Sequence, residues 1–214
     1  MANASERKQA LVGWANNNAG FNSGIQLQKF LFFYECFSKV DGDTYELDGL
    51  KGYKNGPVFS GVYGDNRYDA ANHNPRCNAM YAYQVGVINE PRAKLSAFLV
   101  DCLGSKISDF THKLNIWAAK EDEIKRNPNV SLDEADFSEK DGSVFRNIER
   151  AYPESYIDSV NTLNLYGKTF IYFKNDKKRL TETVHNALNE AAHDPEFDSP
   201  VYITFGETGE LLLD

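Results

Sequence analysis

Two polar side chains set inside apolar helical runs are the first candidates for chemistry in this sequence. Lys29 lies within Leu27-Gln28-Lys29-Phe30-Leu31-Phe32-Phe33-Tyr34, and His112 within Thr111-His112-Lys113-Leu114-Asn115-Ile116-Trp117. An amine and an imidazole converging in a cleft with a tyrosine or an acid would make a general acid–base centre, since burial and neighbours tune both towards neutral pH. Polar groups placed among apolar ones cost free energy unless paired, which is what draws attention to them. The plainer reading is structural: a helical Lys or Glu (Lys29, Glu35) is normally solvated, and a histidine beside an aromatic normally hydrogen-bonds a neighbouring segment. Residue chemistry alone favours that plainer reading.

Other catalytic or ligand-binding signatures are missing. No GxxxxGK or GxGxxG phosphate loop occurs, and neither GxSxG nor HExxH. His73 falls in a stretch that reads as a loop, and His185 and His193 share a helix at a spacing too wide for one metal ion, so surface or capping roles are expected. Cys36, Cys77 and Cys102 are odd in number and widely spaced, which reads as buried free thiols. No cofactor and no metal is implied.

The chain has 214 residues, 42% of them hydrophobic and 13% aromatic, enough for a real core. Its formal charge of −8 weighs against a general nucleic-acid binder, although Arg67, Tyr68, Arg76, Tyr81 and Tyr83 form a local basic and aromatic grouping. The acidic excess is concentrated: Asp133 to Asp141 holds five acids and one lysine, and Glu196 to Asp214 five acids and no base. Such runs are solvated surface or the complement of a basic partner. The first twenty residues lack a cleavable leader pattern, and no apolar run approaches the roughly 20 residues that span a bilayer, so a cytoplasmic protein without membrane attachment is expected.

The elements that must position these residues can be read in outline. Residues 4–18 and 25–40 read as helices, the second with so wide an apolar arc (Ile25, Leu27, Leu31, Phe32, Cys36) that several neighbours must bury it. Residues 45–53 read as extended. Asn55-Gly56-Pro57 then reads as a turn into a short helix starting at Pro57, with Gly64 stopping it in a left-handed cap. Residues 66–78 look irregular, with a turn over 72–75. Tyr81 and Tyr83 in 78–87 alternate as in a strand, though a helix fits nearly as well. Asn89-Glu90-Pro91 opens a helix to Gly104, and Ser108-Asp109 opens another that ends before Pro128. Residues 127–136 read as a loop, and Ser138 opens a helix that Pro153 stops. Beyond it, 163–173 reads as a long strand or a hairpin bent at Gly167, 177–192 as an amphipathic helix, and 201–213 as a hairpin around Glu207-Thr208-Gly209. The class is therefore α+β: a mainly helical body over 1–152 and a small α+β appendage over 160–214.

Three segments in this order resemble a known family. Leu27 to Tyr34 resembles the LQKLLYF-type opening helix of the Panacea domain of SocA-like and phage-associated GepA-like proteins. Gly52-Tyr53-Lys54-Asn55-Gly56-Pro57-Val58 with Val62-Tyr63 is similar to its W-x-YGPV-x-x-x-VY element, with Asn55 in place of the usual Tyr. Asp109-Phe110-Thr111-His112 with Trp117 resembles its third element, an LTH followed by a Trp, with Asn115 where an acid is common. The resemblance spans about 25–150 and leaves 160–214 uncovered. It implies a non-enzymatic, bacterial, phage- or mobile-element-associated antitoxin that binds and neutralises a protein toxin, and in one branch an adaptor that hands the toxin to a protease. The positions it carries over are Gln28, Lys29, Tyr53, Gly56, Pro57, Val58, Tyr63, His112 and Trp117, as structural or partner-binding residues. The alternatives that stay open are an enzyme of unrecognised type built on Lys29 and His112, and a nucleic-acid-binding regulator.

Overall fold

The computed structural model describes residues 4–83, 88–127 and 129–214. The body begins with α1 (Glu6–Asn18), capped by Ser5, and α2 (Gly24–Val40), capped by Ser23. A hairpin follows, β1 (Leu50–Tyr53) and β2 (Gly56–Phe59), then α3 (Ser60–Tyr68), α4 (Ala70–Tyr83) and α5 (Glu90–Leu103). Three short helices, α6 (Ile107–His112), α7 (Asn115–Ala118) and α8 (Glu121–Arg126), lead to β3 (Val130–Ser131). Next come α9 (Glu139–Ala151) and α10 (Glu154–Ser159). The C-terminal part is β4 (Val160–Leu165), β5 (Lys168–Phe173), α11 (Glu182–His193), β6 (Val201–Phe205) and β7 (Leu211–Leu213). The class is α+β.

Helix α2 is the axis of the body. Phe30, Leu31, Phe32, Phe33, Cys36 and Phe37 are all fully buried, and they pack in one cluster with Leu11 and Trp14 of α1, Leu99 and Val100 of α5, Trp117 of α7 and Phe145 of α9. Trp14 stacks on Phe30 at 5.3 Å, and Phe145 meets Phe37 edge-on at 5.0 Å. The wide apolar arc is matched by neighbours on every side except at the N-terminus, where Ile25 is exposed rather than buried.

Two small sheets flank this core. One has the order β2-β1-β3, antiparallel throughout; the other runs β4-β5-β6-β7, with β5 and β6 parallel and the outer pairs antiparallel. Gly167 bends a hairpin, as the sequence reading allows: Tyr166 and Gly167 both have positive φ (50° and 82°), the two-residue turn whose twist matches its strands. Helix α11 covers the second sheet through Leu188, Ala191 and Ala192 against Phe170, Val201 and Ile203. A third apolar cluster, Phe98 and Cys102 of α5 with Val160 and Ile171, joins body to sheet, helped by a 2.8 Å hydrogen bond between the Tyr152 and Tyr202 hydroxyls.

Several local expectations are corrected. The helix after the turn begins at Ser60, not Pro57; Pro57 sits in β2, an edge strand where its missing N–H is tolerated, and Gly64 lies inside α3 rather than capping it. Residues 70–83 are helical through Pro75, because their polar composition belongs to the outer face of a helix whose inner face, His73 and Cys77, packs on α1. That also replaces the strand reading of 78–83, and residues 84–87 lie outside the described residues. The single helix read over 108–127 is broken into α6, α7 and α8; Pro128 lies outside the described residues. Residues 127–136 contribute β3, which pairs with β1. All three thiols are free and buried.

Candidate functional site

The β1–β2 hairpin is held by side chains from two other parts of the chain. From α2, Gln28 Oε1 accepts the Phe59 N–H at 2.8 Å and Lys29 Nζ donates to the Pro57 carbonyl at 3.0 Å. Adjacent polar residues of one helix thus satisfy two backbone groups of an edge strand that has no further strand beside it. From α6 and α7, Ser108 Oγ donates to the Asn55 carbonyl at 3.2 Å and Trp117 Nε1 to the Tyr53 carbonyl at 3.2 Å. Gly56, at φ +98°, lies between them, where a Cβ would meet Thr111 Oγ1 at 2.4 Å and Lys29 Nζ at 2.6 Å. Two parts of the chain far apart in sequence, α2 and the α6–α7 segment, therefore close on the hairpin between Tyr53 and Phe59.

The electrostatics of this junction are unusual. Lys29 is 1% exposed, and no carboxylate pairs with it among the described residues. Burial alone brings its pKa down to about 7. His112 is half-buried, with its ring stacked on Trp117 at 3.9 Å and an interplanar angle of 20°. Its pKa is lowered, first by burial and then by the Lys29 charge, and its Nε2 is buried without a hydrogen-bond partner. An amine and an imidazole whose charged forms are both disfavoured by burial are the raw material of acid–base chemistry. The Gly56 backbone and the Thr111 hydroxyl, however, close over the Lys29 ammonium, so a substrate reaches it only if the hairpin moves.

The remaining motif positions line the outer side of the junction. Tyr53 packs on Tyr63 at 5.9 Å and donates to Asn129 Oδ1 at 3.2 Å, while Val58 is half-buried in β2. Tyr63 is 37% exposed and accepts a 2.7 Å bond from Arg67, whose guanidinium lies over the Tyr63 and Tyr68 rings. Within the basic and aromatic grouping, Arg76 pairs with Asp69, Tyr81 packs on the core, and Tyr83 stands 87% exposed.

Sequence reasoning missed several buried charges. Glu35 is completely buried rather than solvated, with bonds from Arg7 (2.9 Å), Lys8 (2.5 Å) and the Glu46 N–H (3.0 Å). Arg92 reaches Ser38, Asp41 and Asp43. His73 is buried beside Asp65 and Cys77 in α4, not in a loop. Asp141, read as part of an acidic surface run, is 1% exposed; it accepts the Asn115, Ile116 and Ser138 N–H groups and completes a capping box with Ser138. The Ser-x-x-Asp pattern at 138–141 was the available signal for that role.

Among the described residues, no three His, Cys, Asp or Glu side chains meet in an arrangement fit for a metal ion. Nor is any described helix long and apolar enough to cross a membrane. Comparison with protein-family models, curated proteins and solved structures returned no match.

Proposed function

We propose that this protein is an antitoxin-like interaction protein of the Panacea type, which binds and neutralises a cognate protein toxin. The observation that carries the reading is the convergence of the three motif segments, Gln28-Lys29, Tyr53 to Val58 with Tyr63, and His112 with Trp117, on a single hairpin. Motifs that meet in space behave as one unit of the fold, and the resemblance rests on just those three. The acids at 196, 198, 207, 210 and 214 are all exposed, a surface suited to a basic partner. Most motif side chains are spent on internal bonds, so toxin contact falls to the surface around them and to the C-terminal sheet. Delivery of the toxin to a protease is an extension of the same role.

The test is co-expression with each neighbouring open reading frame. One neighbour should arrest growth alone, be rescued by this chain, and co-purify with it. A set of neighbours that are all harmless, with none co-purifying, removes the proposal. A second reading, an enzyme using Lys29 and His112, draws on the lowered pKa of both groups. It requires that the variants Lys29→Met and His112→Ala lose function while remaining folded; rescue by both variants excludes it.

A further inference from the structure

A polar cavity of about 460 Å³ lies at the seam between body and C-terminal sheet, lined by Gln26 near the start of α2, Asp101 and Gly104 at the end of α5, and Thr162, Asn164 and Thr169 of the β4–β5 hairpin. Its volume is that of a site for a small ligand or one inserted side chain. Gln26 Oε1 is taken by the Asn22 N–H and the Ser23 hydroxyl, which leaves its amide nitrogen as a donor, whereas the groups from α5 and the β4–β5 hairpin offer acceptors. The Thr162 hydroxyl donates to Asp101 Oδ2 at 3.1 Å, and the Thr169 hydroxyl donates to the Asp101 carbonyl. The Asn164 amide nitrogen is directed at Thr169 Oγ1, 3.4 Å away, which leaves its carbonyl oxygen for another donor.

Asp101 is the charged group of this cavity, and no cation among the described residues pairs with it. It takes part in none of the ion pairs among the described residues, whereas the buried Glu35 and Asp141 are each satisfied by several donors. Burial pushes the Asp101 carboxyl above its usual range, opposed only by the Thr162 hydroxyl. Asp101 is half-buried, and a partly desolvated carboxylate without a counter-charge gains from a bound cation. One carboxylate among neutral oxygens suits a singly charged hydrogen-bond donor rather than a divalent metal ion, which demands more anionic ligands.

We infer that this cavity binds an alkylammonium or guanidinium group, held by Asp101 with Thr162 and Asn164. The group belongs either to a small free amine or to a Lys or Arg side chain of a bound protein. The inference does not depend on the antitoxin reading, which is judged by rescue from toxicity.

The test uses the full chain and four probes followed by amide chemical-shift titration: butylammonium chloride, methylguanidinium chloride, a capped Gly-Arg-Gly peptide, and neutral butanol. Sodium chloride holds ionic strength constant. The expected result is saturable binding of at least one cation, with shifts centred on Gly104, Thr162 and Asn164, no matching response to butanol, and at least tenfold weaker binding in Asp101→Asn. That variant keeps an oxygen for the Thr162 hydroxyl, so folding should survive; Thr162→Val, which leaves the charge, should weaken binding less. Tighter binding of the peptide than of methylguanidinium assigns the site to a protein side chain, and the reverse order to a free amine. Absence of saturable cation binding, equal binding by Asp101→Asn, or an equal response to butanol overturns the inference.

Discussion

Lys29 and Gly56 lie so close that a single added carbon at Gly56 would stand 2.6 Å from the Lys29 ammonium and 2.4 Å from Thr111 Oγ1. Contact between α2 and the hairpin turn therefore depends on the absence of a side chain there. Gly56→Ala suffers twice, from φ +98° and from overlap, and should cost about 2–4 kcal/mol. Gly42, at φ +74° with open space around its Cβ direction, serves as the control; Gly42→Ala should cost only about 1 kcal/mol. Urea unfolding of both variants separates the two contributions, and equal losses would mean that the close approach to Lys29 is unimportant.

Lys29 also predicts a pH dependence. Its folded pKa is about 7, against about 10.4 in an unfolded chain. Between those values the unfolded state holds a proton that the folded state has released, so this group's contribution to stability rises with pH and is absent below the window. Glu149, raised to about 7, acts with opposite sign below that pH. Cys77, pushed up to about 12, acts with opposite sign only above about 8.5. The Lys29 contribution is thus clearest from pH 7 to 8.5, approaching about 1.4 kcal/mol per pH unit. Lys29→Met should flatten the stability profile there. Parallel profiles for wild type and variant would show that another group titrates.

Asp141 joins α7 to α9 through three backbone N–H groups. Asp141→Ala strands the buried Ile116 N–H, and should cost about 2–4 kcal/mol. Ser138→Ala removes one cap bond and should cost about 1 kcal/mol. Thermal unfolding should rank the two variants in that order, with Asp141→Ala lowering Tm by roughly 4–16 °C. A reversed ranking would contradict the bridging role.

Gly13 marks where α1 and α4 touch. A Cβ there would lie 2.1 Å from the Cys77 carbonyl oxygen, which belongs to rigid helix backbone. In an exposed helix, Gly→Ala would stabilise by about 1 kcal/mol; here the helices must separate, and a net loss of about 1–3 kcal/mol is expected. Cys77 should become reactive towards a thiol reagent in the native variant while remaining inert in the wild type. Unchanged stability and an unreactive Cys77 would mean that the helices accommodate the methyl group.

The sequence by itself determined the α+β class, the extent of α2 and α5, the start of α9 and the hairpin around Gly209, while at Gly167 it left a long strand and a hairpin both open. Those elements carry their information locally, in the continuous apolar arc from Leu27 to Phe37, the Asn89 and Ser138 caps, and the Gly209 turn. Only the tertiary structure decided what the polar residues in those elements do. Gln28 and Lys29 look alike on a helical wheel whether they face water or the Phe59 N–H and Pro57 carbonyl; the choice is made by a strand some thirty residues away. The same holds for Pro57, a helix start by local preference that became an edge-strand residue because Lys51 and Gly52 pair with Val58 and Pro57. The helical state of 70–83 followed from packing Gly13 against Cys77, not from its polar sequence. Local signals fix elements within a few residues of themselves, whereas burial of a charge and pairing of a strand depend on partners that only the folded chain brings near.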